Sequence, residues 1–145
     1  MTPHVRTALI VDDDAPLRVV FGRALERSGF AVHIADGAAA AAAVLEEHPV
    51  SVVVLDNHMP GMSGLEAIKL IRERRSSGEL PILLVSGSSH VRDIELAMSL
   101  GANAFLRKPV GLDELVAAVR DLLGADPSSD AVWSNPLTPG GREAA

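Results

Sequence analysis

Five short runs of apolar residues, each followed by a longer stretch of helical spacing, restrict this chain to very few folds. The runs fall near residues 7 to 11, 31 to 34, 51 to 55, 81 to 85 and 103 to 106. Val52 to Leu55 and Ile82 to Val85 are apolar at every position instead of alternating with polar residues. That is the pattern of central strands covered by helices on both faces. Strands of this kind joined by crossover helices pair in parallel, so the expected fold is α/β, a doubly wound five-stranded parallel sheet.

The helix punctuation agrees. Asp14 is placed to cap a first helix over about 15 to 28, with Ala15 and Pro16 in its opening turn and Gly29 where it must stop. Leu17, Val20, Phe21, Ala24 and Leu25 recur at spacings of three and four, which predicts a buried stripe. A second helix, about 37 to 47, is mostly alanine. Alanine favours helix but offers little apolar bulk, so this helix is expected to be the least well anchored. The third is expected from Gly64 to Arg75, the fourth from His90 to Leu100 ahead of Gly101, and the fifth from Leu112 to Leu123 ahead of Gly124.

With 145 residues and 48% apolar content, the chain suits one domain with a sizeable core, expected over residues 1 to 124. From Ala125 to Ala145 the composition shifts to Pro, Ser, Gly and Asn, which reads as a flexible tail. Trp133, the sole tryptophan, lies in that tail, either as a docking anchor or merely exposed. There is no cysteine, so disulfides and thiolate metal sites are excluded. A formal net charge of -6 opposes general nucleic-acid binding, since phosphate contacts need a basic surface. Arg72, Arg74 and Arg75 come nearest to a basic cluster, but they lie where cations favour a helix C-terminus. The N-terminal apolar run, Ala8 to Val11, is far short of the ~20 residues of a membrane span. A cytoplasmic protein is the expectation.

Chemistry is expected at the carboxyl ends of the strands, where open parallel sheets bind their ligands. There the runs end in Asp12 and Asp13, in Asp56, in Ser86, and in Arg107 and Lys108. Taken alone, Asp12 to Asp14 would be a solvated helix start, Ser86-Gly87 a loop and Lys108-Pro109 a turn. Their joint placement carries the signal. Adjacent carboxylates in a crevice repel unless a cation compensates them, and all-oxygen ligands suit magnesium. Asp13, Asp56 and a backbone carbonyl just after Asp56 are the candidate ligands. Lys108 precedes a prolyl bond, the one kind of peptide bond that readily adopts the cis form.

The segments Val11-Asp12-Asp13, Leu55-Asp56-Asn57-His58-Met59-Pro60-Gly61, Val85-Ser86-Gly87 and Phe105-Leu106-Arg107-Lys108-Pro109 resemble the receiver domain of bacterial response regulators, over about Thr7 to Leu123. The resemblance implies a flavodoxin-like (βα)5 fold with strand order 2-1-3-4-5. It implies that Asp56 is the phosphoacceptor and takes a phosphoryl group from a sensor histidine kinase or phosphotransfer protein. It also implies that Asp13, Asp56 and the His58 carbonyl ligate Mg2+, with Asp12 acting through a water. Lys108 and Ser86 would each hold a phosphoryl oxygen. Phe105 would change rotamer and move inward, switching the surface of the fourth helix, fifth strand and fifth helix for a partner protein. Such a chain is not an enzyme beyond magnesium-dependent self-phosphorylation and slow self-dephosphorylation. It would be a monomer, or a homodimer once phosphorylated, with no direct contact to nucleic acid or membrane.

Three positions depart from the commonest family pattern. His58 stands two residues after the phosphoacceptor, where its side chain would modulate the lifetime of the phosphorylated state or have no role. Gly87 replaces the usual Ala and leaves space beside the site, and Phe105 replaces Tyr. A haloacid dehalogenase-type phosphatase would need an acid where His58 stands, and a dinucleotide-binding enzyme would need a glycine-rich turn where Asp12 to Asp14 stand. Two alternatives remain open: an excised receiver of a larger, for example DNA-binding, regulator, and a receiver-like docking module that is never phosphorylated.

Overall fold

Every apolar run forms a strand and every segment of helical spacing a helix. The computed structural model describes residues 6–57, 63–87 and 91–124. In chain order the elements are β1 (Thr7–Val11), α1 (Ala15–Arg27), β2 (Ala31–Ala35), α2 (Ala38–Glu47), β3 (Val52–Asp56), α3 (Gly64–Arg72), β4 (Ile82–Ser86), α4 (Val91–Leu100), β5 (Ala104–Arg107) and α5 (Leu112–Leu122). All strand pairs are parallel and the order is β2-β1-β3-β4-β5. This is the doubly wound, flavodoxin-like arrangement expected. The last three strands lie one residue later than the sequence spacing placed them, because Asp56 pairs with Val85 and Ser86 with Arg107. Asp56 and Ser86 are therefore strand residues.

The pleat divides the core in two. Leu9, Val11, Val53, Leu55, Ile82, Leu84 and Phe105 face α2, α3 and α4, while Ala8, Ile10, Val52, Val54, Leu83, Val85 and Leu106 face α1 and α5. Burial on both faces explains why the central strands show no polar alternation. β2, at the edge, is only partly covered, and its Ile34 is exposed.

Helix ends follow the sequence where local chemistry governs. Asp14 caps α1 by accepting from the Leu17 N–H at 3.1 Å, and Gly29 (φ 100°) and Gly101 (φ 120°) follow α1 and α4 in the left-handed region open to glycine. Two expectations are corrected. Val20 is 45% exposed, at a cavity it lines with Ala24 and with Leu112 and Val116 of α5, so the buried stripe is narrower than the spacing implied. The helix α3 ends at Arg72, short of Arg75, where the Arg74 N–H bonds the Ile71 carbonyl three residues back and tightens the last turn. The Arg72 guanidinium then takes the Arg75 and Ser76 carbonyls. Arg72 is thus no generic helix-end cation: it also donates to the Gly101 carbonyl at 2.7 and 2.9 Å and to Asn103 Oδ1 at 2.8 Å, joining α3 to the α4–β5 turn. Burial lowers its pKa.

As expected, α2 is weakly packed, and Ala41 is its one buried residue. The tail from Ala125, Trp133, His58 and His90 lie outside the described residues.

Candidate functional site

Four neighbouring strands end side by side and bring the reactive groups to one edge of the sheet. Asp12 continues β1, its N–H bonded to the Ala35 carbonyl at 3.1 Å. Asp56 ends β3 and Ser86 ends β4. Lys108 follows β5, its N–H bonded to the Ser86 carbonyl at 2.9 Å, and the Lys108–Pro109 bond is cis.

Alternation along the strands sorts these side chains between the two faces. Counted from their apolar neighbours, Asp12, Asp56 and Lys108 continue the rows facing α1 and α5. Asn57 and Ser86 continue the rows facing α3 and α4, which also hold Phe105. The contacts follow this sorting: Lys108 Nζ donates to Asp56 Oδ1 at 2.9 Å, and Asn57 Nδ2 donates to Ser86 Oγ at 3.3 Å.

Asp12, Asp13 and Asp56 each place a carboxylate oxygen within 4.8 Å of the others. Asp12 and Asp56 are each 3% exposed, whereas Asp13 is open to solvent. Burial raises the Asp12 pKa, and the charges of Asp56 and Asp13 raise it further. The Asp14 N–H, at 2.9 Å from Asp12 Oδ1, and the Lys108 ammonium act in the opposite direction. One ammonium cannot offset three carboxylates, and this donor set, all oxygen and partly open to water, is one a hard cation fits.

The opening of α3 is built against the same edge. Ser63 and Glu66 form a capping box: Ser63 Oγ accepts from the Glu66 N–H and Glu66 Oε1 from the Ser63 N–H, both at 3.2 Å. The Gly64 N–H then bonds the Asn57 carbonyl at 2.9 Å. A Cβ on Gly64 would lie 2.7 Å from Asn57 Cα and 2.9 Å from the Asp56 carbonyl oxygen, so the close approach requires glycine.

A family profile described as the response regulator receiver domain matches residues 8–120. The chain belongs to the response regulator receiver family. Its similarity to curated members of that family is substantial: it is 37% identical over 115 residues to the transcriptional regulatory protein TctD of Salmonella typhimurium (79% of this chain, 50% of TctD). It is 38% identical over 128 residues to the response regulator MprA of Mycobacterium leprae (87% of this chain, 54% of MprA). The receiver chain spans about half the length of these relatives. Among solved structures, the receiver domain protein of Methanospirillum hungatei JF-1 is similar at TM-score 0.78 and 26% identity, covering 83% of this chain and 94% of that one. The chemotaxis regulator CheY4 of Vibrio cholerae, at 24% identity and TM-score 0.76 over 82% and 99% of the two chains, shares the fold.

Of the receiver residues singled out in the sequence, Asp12, Asp13, Asp56 and Lys108 meet in one cluster, and Ser86 lies at the same edge, fully buried. Phe105 is 1% exposed, in the core cluster that also holds Ile94 and Ala97 of α4. Beside Gly87 the space is open among the described residues, where a Cβ would meet nothing within 4 Å. Two participants escaped the sequence reading. Arg18 Nη1 donates to the Asp12 carbonyl at 2.7 Å, and Asn57, given no role in the sequence, is buried against Ser86. The signal for Asn57 was its place two residues beyond the unbroken apolar run Val52 to Leu55, where burial continues.

Proposed function

We propose that this receiver accepts a phosphoryl group on Asp56 and passes the change to a partner protein. The single observation that supports it is the buried Asp56 carboxylate, held 2.9 Å from the Lys108 ammonium beside Asp12 and Asp13 at the edge where ligands approach. In the step inferred, an Asp56 oxygen attacks phosphorus and the phosphorus–nitrogen bond of a donor phosphohistidine breaks. The bonding pair leaves with the imidazole of a sensor kinase or phosphotransfer protein. Lys108 shifts its ammonium to a phosphoryl oxygen, and the Ser86 hydroxyl takes another. Mg2+, held by Asp13, Asp56 and the His58 carbonyl with Asp12 acting through water, would supply charge neutralisation and in-line alignment.

The added charge, roughly two units, biases the surface of α4, β5 and α5 towards one of two states. On this reading the protein works in the cytoplasm and is no enzyme beyond self-phosphorylation and slow self-dephosphorylation. Among the described residues no helix is long and apolar enough to cross a membrane. The half-length match to TctD and MprA fits a stand-alone regulator and the receiver part of a longer, nucleic-acid-binding one equally.

Intact mass after incubation with acetyl phosphate and magnesium tests the proposal. A magnesium-dependent gain of about 80 Da, one phosphoryl group, in the parent and not in Asp56→Asn is the expected result. No gain, from acetyl phosphate or from a cognate kinase, would leave a docking module.

A further inference from the structure

Arg18 is a cation near the N-terminus of α1, where positive charge opposes the helix dipole. Asp12, Asp13 and Asp14 stand just ahead of it, yet among the described residues its guanidinium pairs with no carboxylate. It bonds to the backbone instead: Nη1 donates to the Asp12 carbonyl at 2.7 Å, a short, charge-assisted bond in a half-buried position. The backbone N–H of the same residue donates to the Asp14 carbonyl at 3.0 Å. Arg18 therefore holds the carbonyls of both neighbours of Asp13.

We infer that Arg18 is a positioning residue: by clamping the Asp12 and Asp14 carbonyls it fixes the backbone of Asp13 and so presents the Asp13 carboxylate to a divalent cation. The inference rests on the magnesium reading of this site and adds what makes the site rigid. Two of the three carboxylates are held without Arg18. Asp12 has its N–H on the Ala35 carbonyl at 3.1 Å and its Oδ1 on the Asp14 N–H at 2.9 Å, and Asp56 is the buried last residue of β3, with Oδ1 on the Lys108 ammonium. Asp13 is exposed and belongs to neither β1 nor α1, so its place among carboxylate oxygens that lie within 4.8 Å of one another depends on the loop. The Asp12 carbonyl and the Asp13 N–H share one rigid peptide plane, and a bond that orients the carbonyl orients that plane. A ligand on a free loop loses conformational entropy when a cation fixes it, and a clamp made beforehand removes that cost. Because the clamp uses only backbone oxygens, both oxygens of the Asp13 carboxylate stay available to the cation.

The test titrates metal-free protein with Mg2+, following amide NMR shifts in the parent, Arg18→Met, Arg18→Lys and, as a charge control at an exposed position of α1, Arg23→Met. Removing a positive charge would by Coulomb's law alone tighten the cation, whereas losing the clamp loosens it, so the sign of the change separates the two. Arg18→Met is expected to bind Mg2+ about tenfold more weakly than the parent, the order of loss found when groups that orient metal ligands are removed. Arg18→Lys, which keeps one donor for the one carbonyl that the side chain holds, is expected to recover most of that loss. Arg23→Met is expected to bind as the parent does, or slightly more tightly. Unchanged or tighter binding by Arg18→Met overturns the inference, and so does an equal loss in Arg23→Met or a lysine variant no better than the methionine one. If Arg18→Met fails to fold, Arg18→Ala, with the better helix former, carries the same comparison. A parent that binds no Mg2+ defeats the magnesium reading and this inference with it, whereas a parent that binds Mg2+ but takes no phosphoryl group defeats the phosphoacceptor reading alone.

Discussion

Helices α2 and α3 lie on the same face of the sheet and are anchored by different means. The sequence of α2, Ala38–Glu47, has the higher helix propensity, yet it buries only Ala41 and its N-cap, Gly37, makes no side-chain bond. The sequence of α3, Gly64–Arg72, opens on a capping box, buries Gly64, Ala67, Ile68 and Ile71, and ends in the Arg72 clamp on Gly101 and Asn103. Between the two helices a cavity of about 230 Å³ remains, walled by Ala38, Ala41, Ala42, Leu45, Ala67 and Ile71. The Arg74–Glu46 ion pair at its mouth is exposed on both sides, where such pairs contribute less than ~1 kcal/mol. Propensity makes a helix form; bulk and specific bonds fix it in place. The helix fixed in place is the one whose first residue touches the backbone of Asp56 and Asn57.

The largest effect expected from this contrast comes from truncating each helix. Ile68→Ala in α3 removes a fully buried side chain and should cost ~3 kcal/mol, whereas Leu45→Ala in half-buried α2 should cost no more than ~1 kcal/mol, both by urea unfolding. Equal losses would mean that α2 is as well anchored as α3. Next in size, Gly64→Ala should cost ~2 kcal/mol through overpacking against Asn57 Cα and the Asp56 carbonyl. It should also slow phosphoryl uptake from acetyl phosphate, an effect no α2 substitution should share. In the opposite direction, Ala42→Leu grows into the cavity and should stabilise by ~1 kcal/mol with uptake unchanged. A lower melting temperature in that variant would show that the space is already collapsed or is needed for motion.

The smallest effect separates the acidic edge, to which α3 is tied, from the uncharged interior beneath α2. Because the native Asp12 pKa is raised, the folded state binds the Asp12 proton more tightly than the unfolded state does. Its contribution therefore declines as pH rises from the ordinary value of 3.8 through the raised one, and at neutral pH the buried charge opposes folding. In metal-free protein, Asp12→Asn should raise the melting temperature at pH 7, and the gain should vanish below pH 3.8. A gain independent of pH would point to a cause other than the charge.

Much of this was legible in the chain itself. Unbroken apolar runs specify central parallel strands because both faces of such strands are covered, and Asp14, Gly29 and Gly101 mark helix ends by local bonding and backbone freedom. The acids, the hydroxyl and the ammonium stood out because each stands at the carboxyl end of an apolar run, and parallel strands bring their ends to one edge. Tertiary structure decided what depends on partners distant in sequence. Only the packed fold places Asn57 against Ser86, Arg18 on the Asp12 carbonyl and Arg72 on Gly101. It alone leaves Val20 exposed and seats Phe105 inside. The physical reason is that spacing along a chain sets which face a residue occupies, whereas the groups that meet it there come from other elements and are known only once those elements pack.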